Sequence, residues 1–292
     1  MNNNIFSGLE KLGFEDIEDI KIYKDTDDEE KDDKKSSINS PLYNKSVICP
    51  VCGYAFKAKS VKSSYYRIGK KDSDFFIRYL TINPYFYDVW LCNSCGYAAL
   101  KVDFENLKER EIKKIEKVIK ARWKSREYPE NYDENIAIER YKLALLNYAV
   151  IDSKSSKKAL TCLKLAWMYR LLKDEENEIT FLRQALEGFN HAFFNEFFPI
   201  YGMNKFTVMY LIGELHRRVG EYDNALLWYS QVITTPGVSQ KLKELARDGK
   251  DLIKEEQEAN QSHEEDDSAT IDIEEESKEE SKKGILSKFF SR

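Results

Sequence analysis

From about residue 103 to residue 254 apolar side chains recur every three to four positions, the period of a helix with one buried face. The pattern predicts a long charged helix over "DFENLKEREIKKIEKVIKARWKSR", with Asp103 as its N-cap, and then helices at roughly 132–151, 156–173, 175–193, 205–220, 222–234 and 238–254. Residues 42–100 carry a different pattern. "SSYYRIG", "FFIRYLTI" and "YFYDVWLC" are rich in aromatic and β-branched residues and are broken by Gly69 and Asn83-Pro84, as short strands are. Neither period holds at the ends. "KDTDDEEKDDKKSSINS" (24–40) and residues 255–283 have too little apolar surface to offset their ordering entropy. Before the first of these, Ile5, Phe6, Leu9, Leu12 and Ile17 suit either a short docking helix or a loosely packed end.

The expected architecture is therefore mostly α: antiparallel helical repeats preceded by a small β-rich module. Four segments follow, namely an acidic, mostly disordered 1–41, a β-rich 42–101, a helical 102–254 and an acidic tail 255–292. Charge sharpens this division. Of a net −5, residues 1–35 carry −6 and residues 254–292 carry −7, which leaves +8 on the body between them. No apolar run approaches the roughly 18–20 residues of a membrane span, and the N-terminus lacks the basic and apolar regions of a secretory signal, so a cytoplasmic protein is expected.

In that setting paired cysteines suggest metal ligands rather than disulfides. "CPVCG" and "CNSCG" place Cys49, Cys52, Cys92 and Cys95 in two matched turns, each closed by a glycine, Gly53 or Gly96. Two such knuckles make a four-sulfur tetrahedral site, closed to substrate and preferred by structural zinc, one ion per chain. Iron in a rubredoxin-like site is the rival. Zinc is favoured because the 39-residue gap between the knuckles is long for rubredoxin. Cys162, within the apolar "ALTCLKLAWMY", is expected in the core.

"YLIGELHRRVGEYDNALLWYSQVI" (210–233) places Gly213, Gly220, Tyr222, Ala225 and Tyr229 at the small and aromatic positions of a tetratricopeptide repeat. "KLAWMYRLLKDEENEITFLRQAL" (164–186) fits the same frame, except that Glu178 stands where alanine is expected. In this register Trp167, Arg170, Tyr210, Glu214, Arg217 and Arg218 face a concave groove suited to a protein or peptide partner. The alternative is that "HRR" is a solvated face. The aromatic insert "FNHAFFNEFFPIYGMN" (189–204) is expected to pack against the β-rich module.

The chain resembles a bacterial family known as domain of unknown function 2225. The resemblance rests on "CPVCG", "DSDF", "NPYFYDVWLCNSCGYAA", "ERYKLALL", "KLAWMYR", "YLIGELHRRVGEYDNALLWYS" and "KELARD", in that order over about residues 42–250. It implies a zinc-ribbon-like module joined to tetratricopeptide-like helices and carries no activity with it.

No phosphate-binding loop, nucleophile elbow or open metal position occurs, and three scattered histidines offer little acid–base chemistry. A non-enzymatic interaction scaffold is the expectation. Two other readings stand beside it. Lys57, Lys59, Lys62, Arg67, Lys70 and Lys71 run without an intervening acid, with Tyr65 and Tyr66 among them, which suits single-stranded nucleic acid. The terminal "KKGILSKFFSR" puts Ile285, Leu286, Phe289 and Phe290 on one helical face ringed by basic residues, fit for a partner's groove or for peripheral contact with an anionic membrane.

Overall fold

The computed structural model describes residues 40–258. The apolar stretch 5–17, the acidic stretch 24–39 and the basic amphipath 282–292 lie outside them.

Three antiparallel two-stranded sheets open the described chain. β1 (Leu42–Ile48) pairs with β2 (Ala55–Val61), from Leu42 opposite Val61 to Ile48 opposite Ala55. β3 (Ile68–Lys71) pairs with β4 (Ile77–Tyr79) across a tight loop at 72–76. β5 (Val89–Leu91) pairs with β6 (Ala98–Leu100), and all six of these residues are buried. That explains why "VWL" and "AAL" are uniformly apolar instead of alternating.

The helices follow closely the periods read from the sequence: α2 (Glu134–Val150), α3 (Ser155–Leu172), α4 (Glu175–Asn195), α5 (Lys205–Arg218) and α6 (Tyr222–Thr234). α7 runs from residue 240 to the last described residue, 258, so it continues into what was expected to be solvated linker. Side-chain caps mark three of the starts, where Asp133, Asp174 and Asn204 accept from Ile136, Asn177 and Thr207 backbone N–H groups. Each of α2 to α6 packs on its neighbours in sequence.

The long helix expected from Asp103 is shorter. α1 spans Glu109–Ile115 and runs on as one π-helical turn, Glu116–Lys120. Asp103 is not its cap. It is 9% exposed and accepts from the Tyr148 and Tyr201 hydroxyls while pairing with Lys157 at 2.9 Å. A carboxylate with three buried or half-buried donors, from α2, α3 and the turn after α4, is worth more there than at an exposed helix start.

One apolar core crosses residue 101, where the chain changes from strands to helices. Val47, Trp90, Leu100 and Phe104 belong to the same cluster as Tyr141, Tyr148, Leu165, Trp167 and Leu215. Polar bonds reinforce the junction. Tyr148 Oη accepts from Leu100 N at 3.0 Å, Arg140 Nη2 donates to Val89 O at 2.7 Å, and Tyr141 Oη donates to Tyr85 O at 2.8 Å. A second cluster joins α5, α6 and α7 through Tyr210, Ala225, Tyr229, Ala246 and Ile253.

Candidate metal centre and the groove residues

Each cysteine pair sits in a turn built from the same backbone hydrogen bonds. Cys49 N donates to Tyr54 O at 2.9 Å and Gly53 N to Cys49 O at 2.9 Å. In the second turn Cys92 N donates to Tyr97 O at 2.8 Å and Gly96 N to Cys92 O at 2.8 Å. Gly53 and Gly96 have φ of +72° and +78°, a conformation that side chains resist. The second turn is braced more heavily. Trp123 Nε1 donates to Asn93 O at 2.8 Å, Arg126 N to Asn93 Oδ1 at 3.0 Å, and Asn147 Nδ2 to Gly96 O at 3.3 Å.

The four Sγ atoms converge within 4.8 Å of one another. Cys49 to Cys95 and Cys52 to Cys92 are each 3.6 Å. A disulfide would bring them to about 2 Å. A tetrahedron with metal–sulfur bonds of about 2.3 Å has edges of about 3.8 Å, close to the observed separation. Hydrogen bonding with Cys49 pulls the pKa of Cys92 down to about 2, and the same contact pushes that of Cys49 up to about 12. Contacts with Cys49 and Cys92 raise Cys95 much further. Four thiolates this close repel one another, and a divalent ion would stabilise them together. Cys49, Cys92 and Cys95 are buried and Cys52 is half-buried, so the four sulfurs form a closed set that could hold a metal. Cys162 stands apart in the helical core, its thiol pushed up to about 12 by burial.

The six groove residues are also brought together, but around the chain's own 72–76 loop. Glu214, Tyr210, Trp167 and Arg217 are 0%, 1%, 4% and 8% exposed. Asp74, fully buried, accepts from Arg170 Nη2 at 2.7 Å and Trp167 Nε1 at 3.0 Å, with Arg218 Nε at 3.7 Å. Ser73 Oγ donates to Glu214 at 2.6 Å and accepts from Arg218 at 2.9 Å, while Tyr210 Oη donates to Ser73 O at 3.1 Å. Glu214 further accepts from Arg217 at 2.8 Å, Arg218 at 2.7 Å and Tyr229 Oη at 2.7 Å. Phe76 stacks on Trp167 at 5.3 Å. Burial would push the Asp74 carboxyl up, but the charges and hydrogen bonds of Arg218, Arg170 and Trp167 hold it below the usual carboxylate range. Glu214 is held down likewise, by Arg217 and Arg218 against burial. A partner peptide at these six residues would have to displace this loop. Glu178, the misfit in the repeat frame, accepts from Arg170 Nε at 2.7 Å and completes the cluster.

In the sequence "DSDF" offers Asp72 and Asp74 as paired carboxylates in a turn, an arrangement more often a cap than a catalyst. Nothing local distinguished Asp74 from a turn cap, because the arginine that neutralises it lies 96 residues away. The basic run 57–71 is divided between two sheets. Lys57 Nζ donates to Ser46 Oγ at 3.0 Å and Lys59 Nζ to Glu130 O at 2.7 Å, both from β2. Lys70 and Lys71 lie in β3, with Lys71 Nζ 4.5 Å from the Phe75 ring. Lys62 and Arg67 lie between the two sheets. The aromatic insert packs in part on α6: Phe193 meets Trp228 at 5.3 Å, while Phe194 and Phe197 stay 73% and 93% exposed.

Residues 42–253 match a family model described as an uncharacterized protein conserved in bacteria, DUF2225. The chain belongs to this family. The matched span begins at β1 and ends in α7, so the family unit takes in both knuckles, the 72–76 loop and the helices. No curated protein and no solved structure matches the chain. Among the described residues no helix is long and apolar enough to cross a membrane.

Proposed function

We propose that this family member is a non-catalytic interaction scaffold whose β-rich part is stapled by one zinc ion. The observation that carries the reading is the sulfur geometry: four protein thiols converge within 4.8 Å, two pairs of them 3.6 Å apart, which suits a four-coordinate structural site. The residues that would hold the ion are Cys49, Cys52, Cys92 and Cys95. Zinc would supply charge neutralisation and a cross-link between residues 40 to 46 positions apart, not Lewis-acid chemistry.

The helical part is read as tetratricopeptide-like. Close approach at the small positions supports this: a Cβ at Gly213 would meet Tyr229 at 3.1 Å, and Ala225 is fully buried. With its arginine-rich face engaged by the 72–76 loop, an exposed surface open to a protein partner is the aromatic pair Phe194 and Phe197.

Elemental analysis of freshly purified protein tests the metal, with one zinc per chain expected. A red, iron-loaded protein would move the site to rubredoxin-like chemistry, and a folded protein without metal would end the reading. Affinity capture from the source cells tests the scaffold. Partners should survive nuclease and be lost on Phe194→Ser with Phe197→Ser; partners lost on nuclease treatment would count against it.

A further inference from the structure

A cleft of about 200 Å³ lies at the outer end of the β1–β2 sheet, away from the sulfur site, and its walls carry an unusual set of groups. Tyr43, Lys45, Ser60, Tyr66, Trp90 and Lys101 line it, and no carboxylate does. Tyr43 and Ser60 are cross-strand partners, and Lys45 is two positions along the same face. Tyr43 and Tyr66 present rings that are 45% and 38% exposed.

The charges around the cleft do not cancel. Lys45 Nζ lies 5.0 Å from the centroid of the Trp90 ring and pairs with no carboxylate among the described residues. Lys101 Nζ is 3.2 Å from Asp88, but Asp88 also pairs with Lys164, so one carboxylate serves two ammonium groups. Trp90 is 4% exposed, so it backs the cleft with its ring and its buried indole N–H is not offered to a ligand. Lysines and hydroxyls together make a donor-rich, net-positive cavity with aromatic walls. Its complement is flat, rich in acceptors and anionic.

We propose that this cleft binds one nucleotide unit, its base against Tyr43 and Tyr66 and its phosphate between Lys45 and Lys101. The volume is below that of sites for drug-sized ligands, which suits one ring system rather than a dinucleotide. Stacking on exposed aromatics beside backbone-tracking lysines is the general physics of single-strand recognition. The lysines used here differ from the 57–71 run. Lys57 pairs with Ser46, and both project from the face opposite Lys45.

The test is fluorescence titration of the full chain, metal-loaded as purified, at about 50 mM salt. The probes are a labelled eight-nucleotide oligouridylate and, separately, uridine monophosphate. Saturable binding is expected, weakened about tenfold or more by Lys45→Ala and by Tyr66→Ala and retained in Tyr66→Phe. Lys57→Ala should change it less than about twofold. Both weakening substitutions are at exposed positions, and unchanged thermal melting would confirm that the variants fold. Binding of the monophosphate identifies a free nucleotide as the ligand; binding of the oligomer alone identifies a single strand. The proposal is overturned if neither probe binds, if Lys45→Ala and Tyr66→Ala bind like the parent, or if inorganic phosphate displaces the probes as well as the nucleotide does.

Discussion

The four-sulfur site and the carboxylate–arginine cluster both fasten the β-rich part of the chain, and they do so by opposite means. The first gathers ligands from two short, nearly identical turns, each built by its own backbone hydrogen bonds. The second gathers Asp72, Asp74, Glu178, Glu214 and their arginines from a loop and three helices, with no repeated local geometry. A sulfur site depends on one central ion and is all-or-none. A buried charge network distributes its neutralisation, so its cost falls on whichever partner is left unpaired.

The largest effect should come from the sulfur site. Cys92→Ser with Cys95→Ser should abolish metal binding, worth on the order of 10 kcal/mol in structural zinc sites. Because Leu100 and Phe104 share a core with α2 and α3, the helical circular dichroism should fall in the same transition. Helices that melt unchanged while the metal is gone would separate the two regions and break the comparison.

Next comes Asp74→Ala, which leaves Arg170 and Trp167 Nε1 facing a buried void. Loss of about 3–5 kcal/mol is expected in a denaturant titration. Replacing Arg170 by Met together with Asp74 by Leu should recover much of it, since the charge is removed rather than orphaned. The metal content of both variants should stay at the parent value, which distinguishes one fastening from the other.

Acid should discriminate them more gently. Asp74 and Glu214 are held below their ordinary values of 3.8 and 4.5, so their stabilisation is fully present above those values. It is lost as pH falls through the ordinary range towards the depressed folded values. Thermal melting between pH 6 and pH 3 should show that decline, and Asp74→Asn should flatten part of it.

The smallest effects compare the two knuckles. Gly53→Ala meets no atom within 4 Å and carries only the strain of positive φ, about 1–2 kcal/mol. Gly96→Ala has the same strain and places its Cβ 2.6 Å from the Trp123 ring, so it should cost more. Equal melting temperatures for the two variants would show that Trp123 gives way freely.

What was legible in the sequence follows the same division. The helices from 134 onward declare themselves because their period and their Asp and Asn caps are local. The cysteine knuckles do so because spacing and glycine fall within five residues. Asp103 misled, since an acid before a charged helix resembles a cap until Tyr148, Lys157 and Tyr201 are folded onto it. The filling of the groove is hidden for the same reason: the repeat frame says nothing of a loop that lies 96 residues before Arg170 and 145 before Arg218 yet reaches both. Long-range neutralisation leaves no periodic trace.

The order in which the chain is made gives the buried Asp74 a further significance. Synthesis runs from the N-terminus at about 5–20 residues per second. All four cysteines are made once residue 95 is added, yet Arg218 follows 123 residues later. For roughly 6–25 seconds a nascent chain has every sulfur ligand but lacks the last cation for its acidic loop. The four-sulfur end is therefore equipped to mature first, and the loop at 72–76 to seat last. A ribosome-stalled chain ending before residue 218 should hold metal while its loop remains open to protease. Seating of that loop then marks a finished molecule.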